Sequence, residues 1–160
     1  MDVNLIGIIS DTHDRIDKVR QAIALFEEKR VNLVIHCGDY VAPFTLKEFS
    51  SLSLPFFGVF GNCDGEREGL ERIAQENKFR ITNPPLSLDL DGRKILIYHQ
   101  LPKDLATDAD FIIYGHTHKA SFQEGRPSLI NPGEAAGWLS GRATVALLDW
   151  KRREVEIFEI

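Results

Sequence analysis

Five short, mostly apolar runs set the rhythm of the chain, at residues 5–9, 33–37, 56–60, 95–98 and 111–114. Each is too short for a buried helix and lacks polar alternation, so each predicts a strand buried on both faces. Between the first three runs the period changes. Ile16, Val19, Ile23 and Phe26 recur at helical spacing, with Asp14 as an expected N-cap and Asp17 as its capping-box partner. Pro43 suits the first turn of a short helix carrying Leu46 and Phe49, and Leu70, Ile73 and Ala74 predict a third helix over residues 66–77. Strands alternating with helices imply βαβ units and a parallel sheet.

The second half of the chain reads as hairpins. Leu86, Leu88 and Leu90 alternate with polar residues up to the tight-turn pair Asp91-Gly92, and a partner strand follows over residues 93–98. Residues 121–124 and 128–130 predict a second hairpin around Gly125, and residues 143–149 and 154–159 a third. Only about ten residues separate His99 from the run at Phe111, near the minimum for a parallel crossover. Residues 101–106 are expected to supply a helical turn or two there, leaving a low, open rim.

Composition narrows the class without naming a function. A chain of 160 residues with no repeat, linker or low-complexity tract is expected to form one domain, residues 1–160. A net charge of −5 argues against retention on nucleic acid by general basicity. No apolar run is long enough for a membrane-spanning helix, and the opening residues Met1-Asp2-Val3-Asn4 lack a basic, apolar leader pattern. Two cysteines, Cys37 and Cys63, make no disulfide framework, so a reducing, cytoplasmic setting is expected.

The chemistry lies at the ends of the five runs. They lead into Asp11-Thr12-His13, Gly38-Asp39, Gly61-Asn62-Cys63-Asp64, His99 and Gly115-His116-Thr117-His118. Singly these are weak signals: polar turns produce Asp-x-His pairs by chance, and Gly-Asn tolerates left-handed backbone in any turn. Together they place four of the five histidines, two aspartates and an asparagine at strand ends. Seven nitrogen and oxygen ligands suit a pair of divalent ions, and a set without thiolate favours Mn, Fe, Co, Ni or Zn. His36, inside a strand run, is read as structural.

In this order the motifs resemble, one for one, those of the calcineurin-like metallophosphoesterases, most closely the small single-domain phosphodiesterases of archaea and bacteria. Ile130-Asn131-Pro132-Gly133 and the closing hairpin fit that branch. The resemblance implies a four-layer α/β sandwich of two mixed sheets with flanking helices. It implies that Asp11, His13, Asp39 and His118 hold one metal, while Asp39, as a bridge, with Asn62, His99 and His116 holds the other. It further implies a phosphodiesterase acting on small nucleotide-like or aryl diesters through a hydroxide activated between the metals, with Asp39, Asn62, His99 and Cys63 around the reacting phosphate. The alternatives are a phosphomonoesterase and a non-catalytic scaffold such as the retromer's metallophosphoesterase-like subunit. A small phosphodiester is the expected partner, with a homodimer possible and neither membrane nor stable nucleic-acid binding expected.

Four positions depart from the family pattern or stand apart from it. Many members pair a histidine after Gly-Asn with a second aspartate of the Gly-Asp loop to assist the leaving group; here Cys63 and Ala42 occupy those places. Losing both halves implies a preference for acidic leaving groups. Gln100 stands where glycine is common, and is expected to alter the rim. Trp138 is expected to pack in the core, the alternative being a side chain projecting beside the site.

Overall fold

The computed structural model describes residues 3–160; Met1 and Asp2, part of the segment read above for a leader, lie outside them. Strands β1 (Leu5–Ile9), β2 (Leu33–His36), β3 (Phe56–Val59) and β4 (Arg80–Thr82) run parallel in one sheet. The closing hairpin, β10 (Thr144–Asp149) and β11 (Glu154–Glu159), completes it in the order β11-β10-β1-β2-β3-β4, with β10 antiparallel to β1. The second sheet has the order β5-β6-β7-β9-β8, from β5 (Leu86–Leu90), β6 (Arg93–Ile97), β7 (Phe111–Ile113), β8 (Ser121–Gln123) and β9 (Ser128–Asn131). Its middle strands are parallel, and a hairpin closes each edge. All three expected hairpins are therefore formed.

Alternation along the buried strands builds two cores. Ile6 and Ile8, Leu33 and Ile35, and Ala146 and Leu148 face Leu86, Leu88, Ile95, Ile97, Phe111, Ile113 and Ile130 between the sheets. On the other face of the first sheet, Ile9, Val34, Val145 and Leu147 meet the apolar stripes of helices α1 (Ile16–Lys29), α2 (Pro43–Glu48) and α3 (Arg67–Asn77). Phe26, Leu46 and Leu70, one from each helix, are fully buried there, each stabilising by about 1.5–3 kcal/mol relative to exposure. Two mixed sheets with flanking helices are as the resemblance implies.

Two local expectations are corrected, and one strand went unread. Residues 98–110, the chain available for a helix beyond the second sheet, are irregular, and the turn expected at 101–106 does not form. A parallel crossover must travel back along the sheet, and extended chain covers about 3.3 Å per residue where a helix covers about 1.5 Å. Strand β4 gave no signal, because three residues at a sheet edge, none of them buried, carry no apolar run. Asp14 does not cap α1, whose N-cap, Arg15, makes no capping side-chain bond. Its Oδ1 instead accepts the Ala42 N–H at 3.0 Å and the Thr45 hydroxyl at 2.5 Å, capping α2 across the first two ligand loops.

Asp14→Ala should therefore lose about 1–2 kcal/mol in urea unfolding. Asp17→Ala, on a side chain 61% exposed, should stay within about 0.5 kcal/mol. Equal effects from the two substitutions would show that Asp14 does not hold α2.

Candidate metal centre

The five runs belong to two sheets, β1, β2 and β3 in one and β6 and β7 in the other, and their carboxyl ends meet along a shared edge. Backbone bonds join the loops that follow. Asp11 N–H donates to Gly38 C=O at 3.0 Å, His13 N–H to Asp39 C=O at 3.1 Å, and Gly115 N–H to His99 C=O at 2.9 Å. Close packing there demands glycine twice. A Cβ on Gly61 would collide with the Asp39 carboxylate, and one on Gly115 with the Ser10 hydroxyl and the Asp11 carboxylate. Five expected ligands, Asp11, His13, Asp39, His116 and His118, have left-handed backbone, with φ of 53°, 39°, 59°, 63° and 61°. Such conformations cost about 1–3 kcal/mol each and persist where the surroundings dictate them.

Five side chains outside the expected ligand set do that dictating. Asp64 accepts N–H bonds from Gly61, Asp39 and Val41 at 2.6, 3.0 and 2.8 Å. Asn131 Nδ2 donates to Gly115 C=O and to Thr117 Oγ1 at 3.0 and 2.9 Å, holding the His-x-His loop. Buried His36 receives the Gly38 N–H on Nδ1 at 3.1 Å. Its Nε2 therefore carries the proton given to Thr12 Oγ1 at 3.1 Å, and the Thr12 hydroxyl continues to Asp39 C=O at 3.3 Å. Burial drives the His36 pKa down to about 3, so it stays neutral. Glu134, also buried, accepts N–H bonds from Trp138, Leu139 and Ser140, and its carboxylate faces His118 Nδ1 at 3.4 Å. A carboxylate behind an imidazole is the usual way to orient a metal-binding histidine.

The structure brings all seven expected ligands together. Asp11 Oδ1 lies 3.3 Å from His118 Nε2 and 3.8 Å from His13 Nε2. Asp39 Oδ2 lies 3.6 Å from His13 Nε2 and 3.4 Å from His99 Nε2, which puts it between the two halves of the set. Asn62 Oδ1 is 2.8 Å from His99 Nε2 and 3.0 Å from His116 Nδ1. The His99 tautomer decides what these distances mean. His99 Nδ1 is 2.8 Å from Cys37 C=O, which only accepts, so Nδ1 carries the proton. His99 Nε2 then faces two oxygen acceptors, Asn62 Oδ1 and Asp39 Oδ2. Asp11 Oδ1 and His13 Nε2, both shielded from solvent, have no hydrogen-bond partner. Converging lone pairs with orphaned members fit cations of the hard-to-borderline divalent kind. Asp11, His13 and His118 form one group that could hold a metal, and Asp11, Asp39 and His99 another.

Electrostatics follow from this crowding. Burial would raise the Asp11 carboxyl, but His13, Ser10, His99 and His118 outweigh it and hold it below the usual range. The Asp11 carboxylate beside it raises His13. Desolvation raises Asp64, and would raise Glu134 too had its Ser140 and Leu139 bonds and His118 not lowered it. Partial desolvation and Asp39 push the Cys63 thiol up to about 11; a cation beside it would act in the opposite sense.

A cavity of about 410 Å³ opens over the set, lined by His13, Asp39, Asn62, His116 and His118 with Cys63, Glu134, Trp138 and Leu139. Cys63 thus stands beside the ligands. Gln100 is exposed but does not line this cavity, so the expected effect on its rim is absent. Trp138 is a correction. It is 61% exposed at the cavity, not in the core, because Glu134 turns its loop outward. A lone glutamate after Asn-Pro-Gly reads as surface, and nothing in the sequence signalled Glu134; Asp64 was visible within Gly-Asn-Cys-Asp, though not its clamping role.

The chain belongs to the calcineurin-like phosphoesterase superfamily, whose domain matches residues 5–153. A phosphodiesterase of Methanocaldococcus jannaschii is 41% identical over 160 residues, spanning 93% of this chain and 95% of its own length. The solved structure of an archaeal phosphodiesterase superposes with a TM-score of 0.91 at 36% identity, covering 98% of this chain and 99% of the other. Vps29 of Chaetomium thermophilum shares the fold, with a TM-score of 0.70 at 15% identity over 98% of this chain and 95% of its own.

Added Mn, Ni, Co, Fe or Zn should raise the melting temperature of this protein. Stabilisation at a hundredfold excess over the dissociation constant is about 2.7 kcal/mol. Asp39→Asn, which keeps shape and removes charge, should lose most of that increment at the same metal concentration. No shift with any of these ions would refute metal binding by this set.

Proposed function

We propose that this protein is a metal-dependent phosphodiesterase with two divalent ions. The observation that carries the reading is Asp39 Oδ2, set between His13 Nε2 and His99 Nε2 at 3.6 and 3.4 Å beneath an open cavity. Asp11, His13, Asp39 and His118 would hold one ion; Asp39, Asn62, His99 and His116 the other. When bound, such a pair supplies Lewis acidity toward phosphoryl oxygens and lowers the pKa of water toward about 7. Which of Mn, Ni, Fe, Co or Zn serves is left to the donor chemistry, which admits all five. The M. jannaschii relative and the archaeal structural neighbour, each called a phosphodiesterase, support the assignment of the bond cleaved. We assign the chain to the cytoplasm on its two free cysteines, and the full length to one functional domain.

The chain's own residues set the leaving-group requirement. His99 Nδ1 is committed to Cys37 C=O, which keeps that proton away from the substrate. Asn62 Nδ2 donates to Cys63 Sγ at 3.3 Å, fixing the thiol at the cavity wall. Without a cation beside it the thiol is pushed up to about 11, and in either case a thiol lacks the positive charge with which an imidazolium assists a departing oxyanion. Ala42 leaves it without a supporting carboxylate from the Gly-Asp loop. Departure therefore depends on the acidity of the leaving alcohol. A scaffold role on the same fold, as the likeness to Vps29 allows, does not account for a complete set of converging ligand atoms.

Turnover of bis-aryl phosphodiesters with added metal is the expected activity, far faster than that of dialkyl diesters. Cys63→His should raise the alkyl rate by at least about 10-fold, within the range general acids supply, and change the aryl rate little. Equal wild-type rates for aryl and alkyl substrates would overturn the leaving-group argument, and no turnover of either would overturn the function.

A further inference from the structure

The loop that ends the second sheet carries its two most exposed large apolar side chains to the rim of the metal centre. Trp138 is 61% exposed and Leu139 82% exposed, and both line the cavity above the ligands. Water-facing indole beside leucine is unfavourable unless the arrangement is imposed, and here it is imposed three times. The buried Glu134 carboxylate accepts the consecutive N–H groups of Trp138, Leu139 and Ser140 at 2.8, 3.1 and 2.8 Å. The Arg15 guanidinium lies over the indole, 4.6 Å from its centroid, and is itself anchored on Ala136 C=O at 2.6 Å. The indole Nε1–H points to His13 C=O at 3.4 Å, tying the ring to a ligand loop.

We propose that Trp138 and Leu139 form a subsite that binds a planar aromatic or heteroaromatic ester arm of the phosphodiester. This rests on the phosphodiesterase reading above. A diester whose phosphorus sits at the ligand set must lay its arms against the rest of the cavity wall. Apart from the ligands, that wall is indole, leucine, the Cys63 thiol and a Glu134 carboxylate already saturated with N–H bonds. No lysine or arginine among the described residues lines it, and the one cation stacked on it, Arg15, is engaged with the indole and Ala136 C=O. A volume of about 410 Å³ accommodates one small diester. A flat apolar ring is what this wall selects, and a platform locked before binding loses little freedom when it stacks.

The second tryptophan makes the test direct. Trp150 is 2% exposed in the inter-sheet core, so ligand-dependent quenching of intrinsic fluorescence reports Trp138. Phenyl phosphate and methyl phosphate carry the same anion and differ in the ring. With Mn added, phenyl phosphate should quench the full-length protein and bind on the order of 10-fold more tightly than methyl phosphate, the size expected for one stacked ring. Trp138→Ala should bind the two equally, by competition or calorimetry, while Trp138→Phe should keep the preference. A phenyl preference that is absent in wild type, or that survives Trp138→Ala, overturns the subsite. Diester turnover is measured in parallel: its absence alongside an intact, Trp138-dependent phenyl preference would sink the phosphodiesterase reading while upholding the aromatic subsite.

Discussion

Lone pairs that face one another are the constraint on which the rest of this structure depends. Asp39 Oδ2, His99 Nε2, His116 Nδ1 and Asn62 Oδ1 crowd within 2.8–3.4 Å of one another in the pairs His99–Asp39, His99–Asn62, His116–Asn62 and His116–His99, more acceptor atoms than the protons beside them can serve. On the other side, Asp11 Oδ1 and His13 Nε2 are out of solvent and unpartnered. Repulsion of this kind would spread the loops apart if they were free to move. They are not, because each grows from the end of a strand whose other residues are locked in the inter-sheet core.

The strain is distributed, not hidden. Left-handed backbone at five ligands, and at the β-branched Val41 with φ of 81°, is unfavourable in any isolated peptide. Its compensation comes from a ring of polar side chains that bond to backbone and not to ligand atoms. Asp64 takes three N–H groups across two loops, including that of Val41; Asn131 holds the loop of His116 and His118; His36 and Thr12 tie the first loop to the second. Satisfied buried networks of this sort rigidify what they enclose, and loss of one member exposes the strain it was offsetting. Binding chemistry and fold stability are thus coupled through residues that are themselves not expected to touch a metal.

That division explains what could be read from the chain. Apolar runs and their terminal ligands are local patterns, so strands β1, β2, β3, β6 and β7 and the positions of Asp11, His13, Asp39, Asn62, His99, His116 and His118 were visible directly. The hairpin around Asp91-Gly92 was equally local. Residues acting at a distance left no such mark. Asp14 has the sequence context of a cap for α1, yet bonds to Ala42 and Thr45, 28 and 31 residues further on. Glu134 lies among small residues and reads as surface, although its carboxylate is fully enclosed by the loop it folds. Trp138 was misjudged for the same reason: tryptophan by composition belongs in a core, and only the bonds from its own backbone to Glu134 turn it to solvent.

The two halves of the cavity then pose one physical question from opposite sides. On the ligand side, the thiol of Cys63 replaces an imidazole, so protonation of a departing oxygen is weak there. Lining the same cavity, indole and leucine present a surface that gains little from a charged or strongly hydrated arm. A leaving group able to depart without protonation is one whose negative charge is delocalised, and a delocalised oxyanion is commonly attached to an aromatic ring. The same ring is what an apolar, flat wall retains. On the function proposed above, weak acid catalysis and an aromatic wall would select one class of ester, and each would make the other intelligible. A histidine at position 63 without the indole, or an indole over a strong acid, would favour different substrates on the same fold, in keeping with function residing in the site and not the architecture.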